Sequence, residues 1–167
     1  MEQNRTIKIR AGDDEVIEFT EKSISKSNLI SGIIGDYPEN SEIPLKKVNG
    51  KILKKIKEYL DHYQDTNPKP VERPLKSLNF KECVDEWDYN YTNEDVDFLL
   101  ELIDAVSHMD IKPLLELLAA KLGSKIQNIT TEKIRNKFGI HEKFTEAELT
   151  SIYKDKESLA KALENLL

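Results

Sequence analysis

The chain has a single cysteine, Cys83, so no disulfide can form within it. No apolar run approaches the roughly 18 residues that a membrane-spanning helix needs. The opening MEQNRTIKIR also lacks the apolar core of a secretory signal. A basic surplus is missing: 31 acidic residues face 25 basic ones, a formal net charge of −6. Nucleic acids and anionic membranes are held by clustered lysine and arginine, so neither is expected as a partner. With 38% hydrophobic and 34% charged residues, the expectation is a polar-surfaced protein of the cytoplasm and nucleus.

Catalytic patterns are also missing. His62, His108 and His141 lie far apart, and none has metal-ligand spacing with another His or with Cys83. Ser107-His108-Met109-Asp110 contains the letters of a catalytic triad. Neighbouring helical residues, however, point about 100° apart and cannot share one hydrogen-bond axis. There is no phosphate-binding glycine loop. Cys83 stands in acidic KECVDEWD, surroundings that do not favour a reactive thiolate. Asp13-Asp14 and Asp95 with Asp97 lack the glycine pattern of a calcium loop. No catalytic residue, metal or cofactor is therefore expected, and binding is the remaining class of function.

Periodicity outlines the fold. Ile7 and Ile9 in TIKIR and the segment VIEF (Val16 to Phe19) predict two strands, joined by a turn at Gly12-Asp13-Asp14. Thr20 is placed to cap a short helix. Leu29, Ile30, Ile33 and Ile34 have helical spacing, with Gly35 read as a stop. SEIPL predicts a third strand. From Lys51 to Tyr63, Ile52, Leu53, Ile56, Tyr59, Leu60 and Tyr63 form an amphipathic stripe. Three of six prolines then fall within Pro68 to Pro74, and an exposed loop is expected there. Asp61 to Leu99 holds ten acidic against four basic residues, which equals the whole net charge; such a run reads as a solvated, mobile face.

The remainder reads as helical. Val96, Leu99, Leu100, Ile103 and Val106 share a face behind a cap at Thr92 or Asn93, and Asp110 is the expected cap of IKPLLELLAAKLGSKI. In TTEKIRNKFGIHEKFTEAEL, Ile134 and Phe138 sit four apart, Gly139 supplies a helix stop, and Thr145 with Glu148 has capping-box spacing. Leu114, Leu115, Leu117 and Leu118 cover more than one helix face, and short apolar helices following a nearly complete domain suit a groove for a partner helix.

These residues resemble a known family. NITTEKIRNKFGIHEKFTEAEL is similar to the C-terminal signature of the S-phase-kinase-associated adaptor of SCF (Skp–cullin–F-box) ubiquitin ligases. The matching residues are Thr130, Glu132, Ile134, Arg135, Phe138, Ile140, Phe144, Thr145, Glu146 and Glu148. HMDIKPLLELL, PLKKVNGKILKKIKEYLDHY, IKIRAGDDEVIEF and EWD resemble further collinear blocks, so the likeness runs from about Thr6 to Ile152.

The resemblance implies an α+β BTB/POZ fold, a small three-stranded sheet flanked by helices, over residues 1–128, with an acidic Pro-containing loop at about 64–86. Helices over 129–167 then form a C-terminal F-box-binding extension. It implies a non-catalytic adaptor bridging a cullin amino-terminal domain to F-box proteins. Leu115, Leu122, Ile126, Ile134, Phe138, Ile140 and Phe144 would line the F-box groove, and Ser107 and His108 would face the cullin. The family's Asn-Tyr is replaced by that Ser107-His108 pair, its Pro by Thr131, and its terminal Trp-bearing segment by the surroundings of Ser158 and Leu159. The alternatives are an F-box-binding relative outside a cullin ligase, such as a kinetochore-type scaffold, or a self-associating BTB domain with a weak homodimer.

Overall fold

The computed structural model describes residues 5–37, 42–77, 79–126, 130–137, 139–140 and 145–164, the side chains of 131, 137 and 157–164 excepted. The chain divides into two compact units, Met1–Asn128 and Ile129–Leu167.

The first unit is built on a three-stranded sheet. β1 (Thr6–Ala11) and β2 (Val16–Thr20) form an antiparallel hairpin, and β3 (Glu42–Leu45) runs parallel to β1 on its other side, giving the order β2-β1-β3. Register places Ile7 opposite Phe19, and Ile9 between Ile17 and Ile43. Because side chains alternate across a strand, this pairing sends all five to one buried face. At the hairpin turn, a Cβ on Gly12 would collide with the Lys46 carbonyl oxygen, so only glycine fits there.

Helices cover the sheet. α1 (Glu21–Ile24) is capped by Thr20, whose hydroxyl accepts from the Ser23 N–H. α2 (Asn28–Asp36) is capped by the buried Ser27, which accepts from Ile30 N–H and donates to the Met109 carbonyl at 2.6 Å. Gly35 lies inside α2 rather than ending it. α3 (Gly50–His62), capped by Asn49, buries Ile52, Leu53, Ile56, Tyr59 and Leu60, the stripe its periodicity marked. α4 (Glu86–Tyr91), α5 (Val96–His108) and α6 (Lys112–Ile126) complete the unit.

Two helix starts differ from expectation. Thr92 does not cap α5: its N–H and hydroxyl both donate to the Asp88 carbonyl, closing α4, and Asp95 caps α5 by accepting from Phe98 N–H. Asp110 is not the cap of α6. It sits at φ 50 and accepts from Asn28 Nδ2 at 2.8 Å, tying the start of α2 to the end of α5. The acidic stretch is also less open than a solvated loop. Val71, Leu75, Val84 and Trp87 are half-buried against the core, and Phe80 is buried in a short 3-10 turn, Phe80–Glu82.

Trp87 stacks on His62 with centroids 3.7 Å apart and planes 2° from parallel, and also packs on Tyr59, Tyr63 and Tyr91. Beside it the Tyr63 hydroxyl donates to the buried Asp88 Oδ1 at 2.8 Å. Burial pushes the Asp88 carboxyl up, although the Tyr63 bond works in the other direction. A raised folded-state value means that the native protein holds this proton more tightly than the unfolded chain does. Asp88 ionisation therefore opposes folding. The penalty is absent below the ordinary carboxylate range, about 4, grows as pH rises toward the elevated value, and is constant above it. Asp88→Asn keeps an acceptor for Tyr63, so its stability should exceed wild type at neutral pH and converge with it in acid. Urea unfolding of both proteins between acid and neutral pH checks this, and a constant difference at every pH would refute it.

The second unit contains α7 (Thr131–Lys137) and α8 (Glu146–Glu164). α8 runs without a break through Ser158 and Leu159 to Glu164.

Candidate partner-binding site

On α6 the leucine-rich segment splits by face. Leu114, Leu117 and Leu118 enter the core, while Leu115, Leu122 and Ile126 are only half-buried. The last three sit at i, i+7 and i+11, with Ala119 between them, and so make one stripe along the helix. Of the four leucines that cover more than one helix face, Leu115 alone is not fully buried, and it packs in part against the core.

In the second unit the chain reverses through well-formed caps. Gly139 has φ 63; its N–H donates to the Asn136 carbonyl, and Ile140 N–H donates to the Arg135 carbonyl at 2.8 Å. This pair of bonds is the Schellman arrangement that closes a helix on a left-handed glycine. Downstream, Thr145 N–H donates to Glu148 Oε2 at 2.8 Å and Glu148 N–H donates back to Thr145 Oγ1 at 3.3 Å, a complete capping box. Those Thr145 bonds hold the Glu148 carboxyl below its ordinary value.

Ile134 on α7 is half-buried and Ile140 is 47% exposed. Phe138 and Phe144 lie outside the described residues. On α8, Leu149, Ile152 and Tyr153 are exposed at i, i+3 and i+4. Tyr153 was not among the residues expected to bind; its helical spacing with Leu149 was the available signal.

Ser107 and His108 are both exposed in the last turn of α5. Asp97, Glu101 and Asp104 are exposed on the same helix at i, i+4 and i+7, with His108 at i+11. An acidic stripe thus leads to the Ser107-His108 pair and suits a partner with basic side chains. Among the described residues no group of three or more His, Cys, Asp or Glu is placed to hold a metal ion, and no helix is long and apolar enough to cross a membrane.

A second feature was hidden in the sequence. Lys121, on the core side of α6, is only 5% exposed and lies between two rings, 4.9 Å from the Phe80 centroid and 4.7 Å from that of Tyr89. Burial lowers its pKa, and the ring faces offset part of the cost of its charge. Phe80 and Tyr89 are about 30 to 40 residues away along the chain, beyond any helical or strand period.

Two family profiles match the chain. The Skp1 family tetramerisation domain covers residues 5–65, from the sheet through α3. The Skp1 family dimerisation domain covers residues 112–158, from the start of α6 into α8. The chain is 37% identical over 147 residues to S-phase kinase-associated protein 1 homolog of Tetrahymena thermophila, covering 87% of this chain and 89% of that protein. It is 30% identical over 160 residues to E3 ubiquitin ligase complex SCF subunit sconC of Arthroderma benhamiae, covering 94% and 98%. Suppressor of kinetochore protein 1 of Schizosaccharomyces pombe is 31% identical over 157 residues, covering 90% and 95%. The second profile begins where the stripe of Leu115, Leu122 and Ile126 begins and runs past the capping box of α8. With a parallel β1–β3 pair in the first unit and these half-exposed apolar helices after it, the chain belongs to the Skp1 family.

Proposed function

We propose that this protein is a non-catalytic adaptor subunit of an SCF-type E3 ubiquitin ligase, joining a cullin amino-terminal domain to F-box substrate receptors in ubiquitin-dependent degradation. The observation that carries this reading is the stripe of Leu115, Leu122 and Ile126 on α6, left half-exposed although the core beside it is filled. Ile134 on α7 and Ile140 after it offer further apolar contacts, with Phe138 and Phe144 assigned by family pattern. Binding of this kind draws its energy from a few desolvated anchors. The Arthroderma relative, named as an E3 ubiquitin ligase complex SCF subunit, supports the ligase assignment. The site of action is the cytoplasm and nucleus.

The cullin arm runs through Ser107 and His108. Tyrosine is a favoured anchor at protein interfaces, and histidine offers less apolar contact area. The Ser107→Asn, His108→Tyr double variant should therefore bind a cullin amino-terminal domain about 10-fold more tightly than wild type. Surface plasmon resonance with the F-box complex of each protein reads this out. Equal affinities would remove both residues from the cullin contact.

A second reading is favoured by the kinetochore-named relative and by that same replacement: F-box binding without a cullin. It predicts F-box association with no cullin association in the wild-type chain, and cullin binding regained when Asn and Tyr are restored at 107 and 108. Sedimentation of the protein alone tests the remaining alternative, a homodimer through the first unit, which F-box binding would leave intact.

A further inference from the structure

The chain from Pro68 to Leu75 lies beside α6, in the part of the protein whose composition suggested a mobile loop. Arg73 Nη2 is 3.4 Å from Glu116 Oε1 on α6, and Leu75 is half-buried against the core. Between this strap and the helix runs a groove of about 310 Å³, lined by Arg73, Leu75, Glu116, Ala119, Ala120 and Gly123. Two further contacts hold the neighbouring chain. Lys69 pairs with Asp85 at 3.0 Å, and beyond the strap Phe80 and Tyr89 grip the buried Lys121 of α6.

We propose that the strap is the outer wall of the F-box site, and that its groove receives an aliphatic side chain of the F-box partner. This rests on the reading of Leu115, Leu122 and Ile126 as F-box contacts. Continuity supports it. Ala119 lines the groove and also stands between Leu115 and Leu122, at i+4 from one and i−3 from the other, so the two surfaces share an edge. A helix lying on the stripe reaches the groove without leaving α6.

The chemistry of the lining selects the occupant. Leu75, Ala119, Ala120 and Gly123 present hydrocarbon and helix backbone. The two charged groups, Arg73 and Glu116, already face one another at the rim. A charged side chain entering here would lose water and gain no free partner, whereas an aliphatic one removes only apolar surface from water, which is favourable. The groove is at the lower end of small-ligand cavities, which suits a side chain better than a separate molecule. The aromatic grip on Lys121 fixes the segment that follows the strap, so the wall is built before the partner arrives and binding does not have to order it.

Gly123 provides the test. Nothing lies within 4 Å of a Cβ built at this position, so a side chain is accommodated without backbone movement and fills the groove. The probe is the F-box segment of a substrate receptor fused to a carrier, titrated calorimetrically into the full chain. Gly123→Leu should weaken binding by about 10-fold or more while thermal unfolding does not fall, because leucine is also the better helix former. Gly123→Ala should weaken binding less than Gly123→Leu does, since one methyl leaves most of the groove open. Leu75→Ala should weaken binding by about 5-fold. Unchanged affinity in Gly123→Leu overturns the proposal. Tighter binding in Leu75→Ala overturns it too, because the strap would then be a competitor rather than a wall. If wild type binds and Leu122→Ala binds poorly while Gly123→Leu binds normally, only the groove is refuted. If wild type does not bind, the F-box reading itself fails.

Discussion

Replacing Leu122 by alanine lowers the affinity for an F-box segment by about 30-fold, ~2 kcal/mol, with little loss of fold stability. The asymmetry follows from where the side chain sits. Leu122 is half-buried on α6 and lies outside the residues that fill the core, unlike its neighbours Leu117 and Leu118. In the free protein its removal costs only part of a leucine's burial, about 1 kcal/mol, and alanine returns some of this through its higher helix propensity. In the complex the same side chain would be fully desolvated, so its truncation is felt mainly there. Titration calorimetry of both proteins, with their thermal unfolding curves, separates the two effects. Equal affinities would show that this face of α6 is not used. A large fall in unfolding temperature would show that Leu122 is a core residue after all.

The opposite pattern is expected at Ile56. This side chain is fully buried in α3, within the core that α3 shares with the sheet and α5. Ile56→Ala removes three carbons from a close-packed site, leaves a cavity that its neighbours fill only in part, and costs about 3 to 4 kcal/mol. Urea unfolding of the full chain, followed by tryptophan fluorescence, measures it well. Trp87 packs on Tyr59, one turn along the same helix, and so reports on this region. F-box affinity of the fraction that remains folded should be unchanged. A cost below about 1 kcal/mol would mean that the site collapses around alanine, and that α3 is less tightly packed than its burial indicates.

Elements specified by local chemistry were legible in the sequence. The alternation of Ile7 and Ile9 with Ile17 and Phe19 placed the hairpin, the α3 stripe placed its buried residues, and Gly139 and the Thr145–Glu148 box placed two helix ends. Each depends on residues within a few positions of one another. Two helix starts were not legible, one for a local reason and one for a distant partner. Thr92 is a good cap by type, but its hydroxyl is engaged in closing α4, so α5 begins with Asp95. Asp110 is engaged by Asn28, 82 positions earlier, which leaves α6 to start at Lys112.

The acidic stretch misled as well. Its charge suggested a solvated loop, while the scattered Val71, Leu75, Phe80 and Trp87 were the signal that it packs. Those residues have neither a helical nor a strand period, so no local pattern joins them. For the binding site, spacing marked the apolar residues of α6 and α7 as a group without deciding between core and partner. Burial separates them residue by residue: Leu114, Leu117 and Leu118 go inward, while Leu115, Leu122 and Ile126 keep part of their surface outside.

In the proposed adaptor role one chain holds two partners at once. Sedimentation velocity on an equimolar mixture of this protein, an F-box segment on a carrier and a cullin amino-terminal domain tests it most directly. A single 1:1:1 species is expected, which Leu122→Ala depletes of the F-box component. Two separate binary complexes, or an F-box complex from which the cullin domain is always absent, would contradict it.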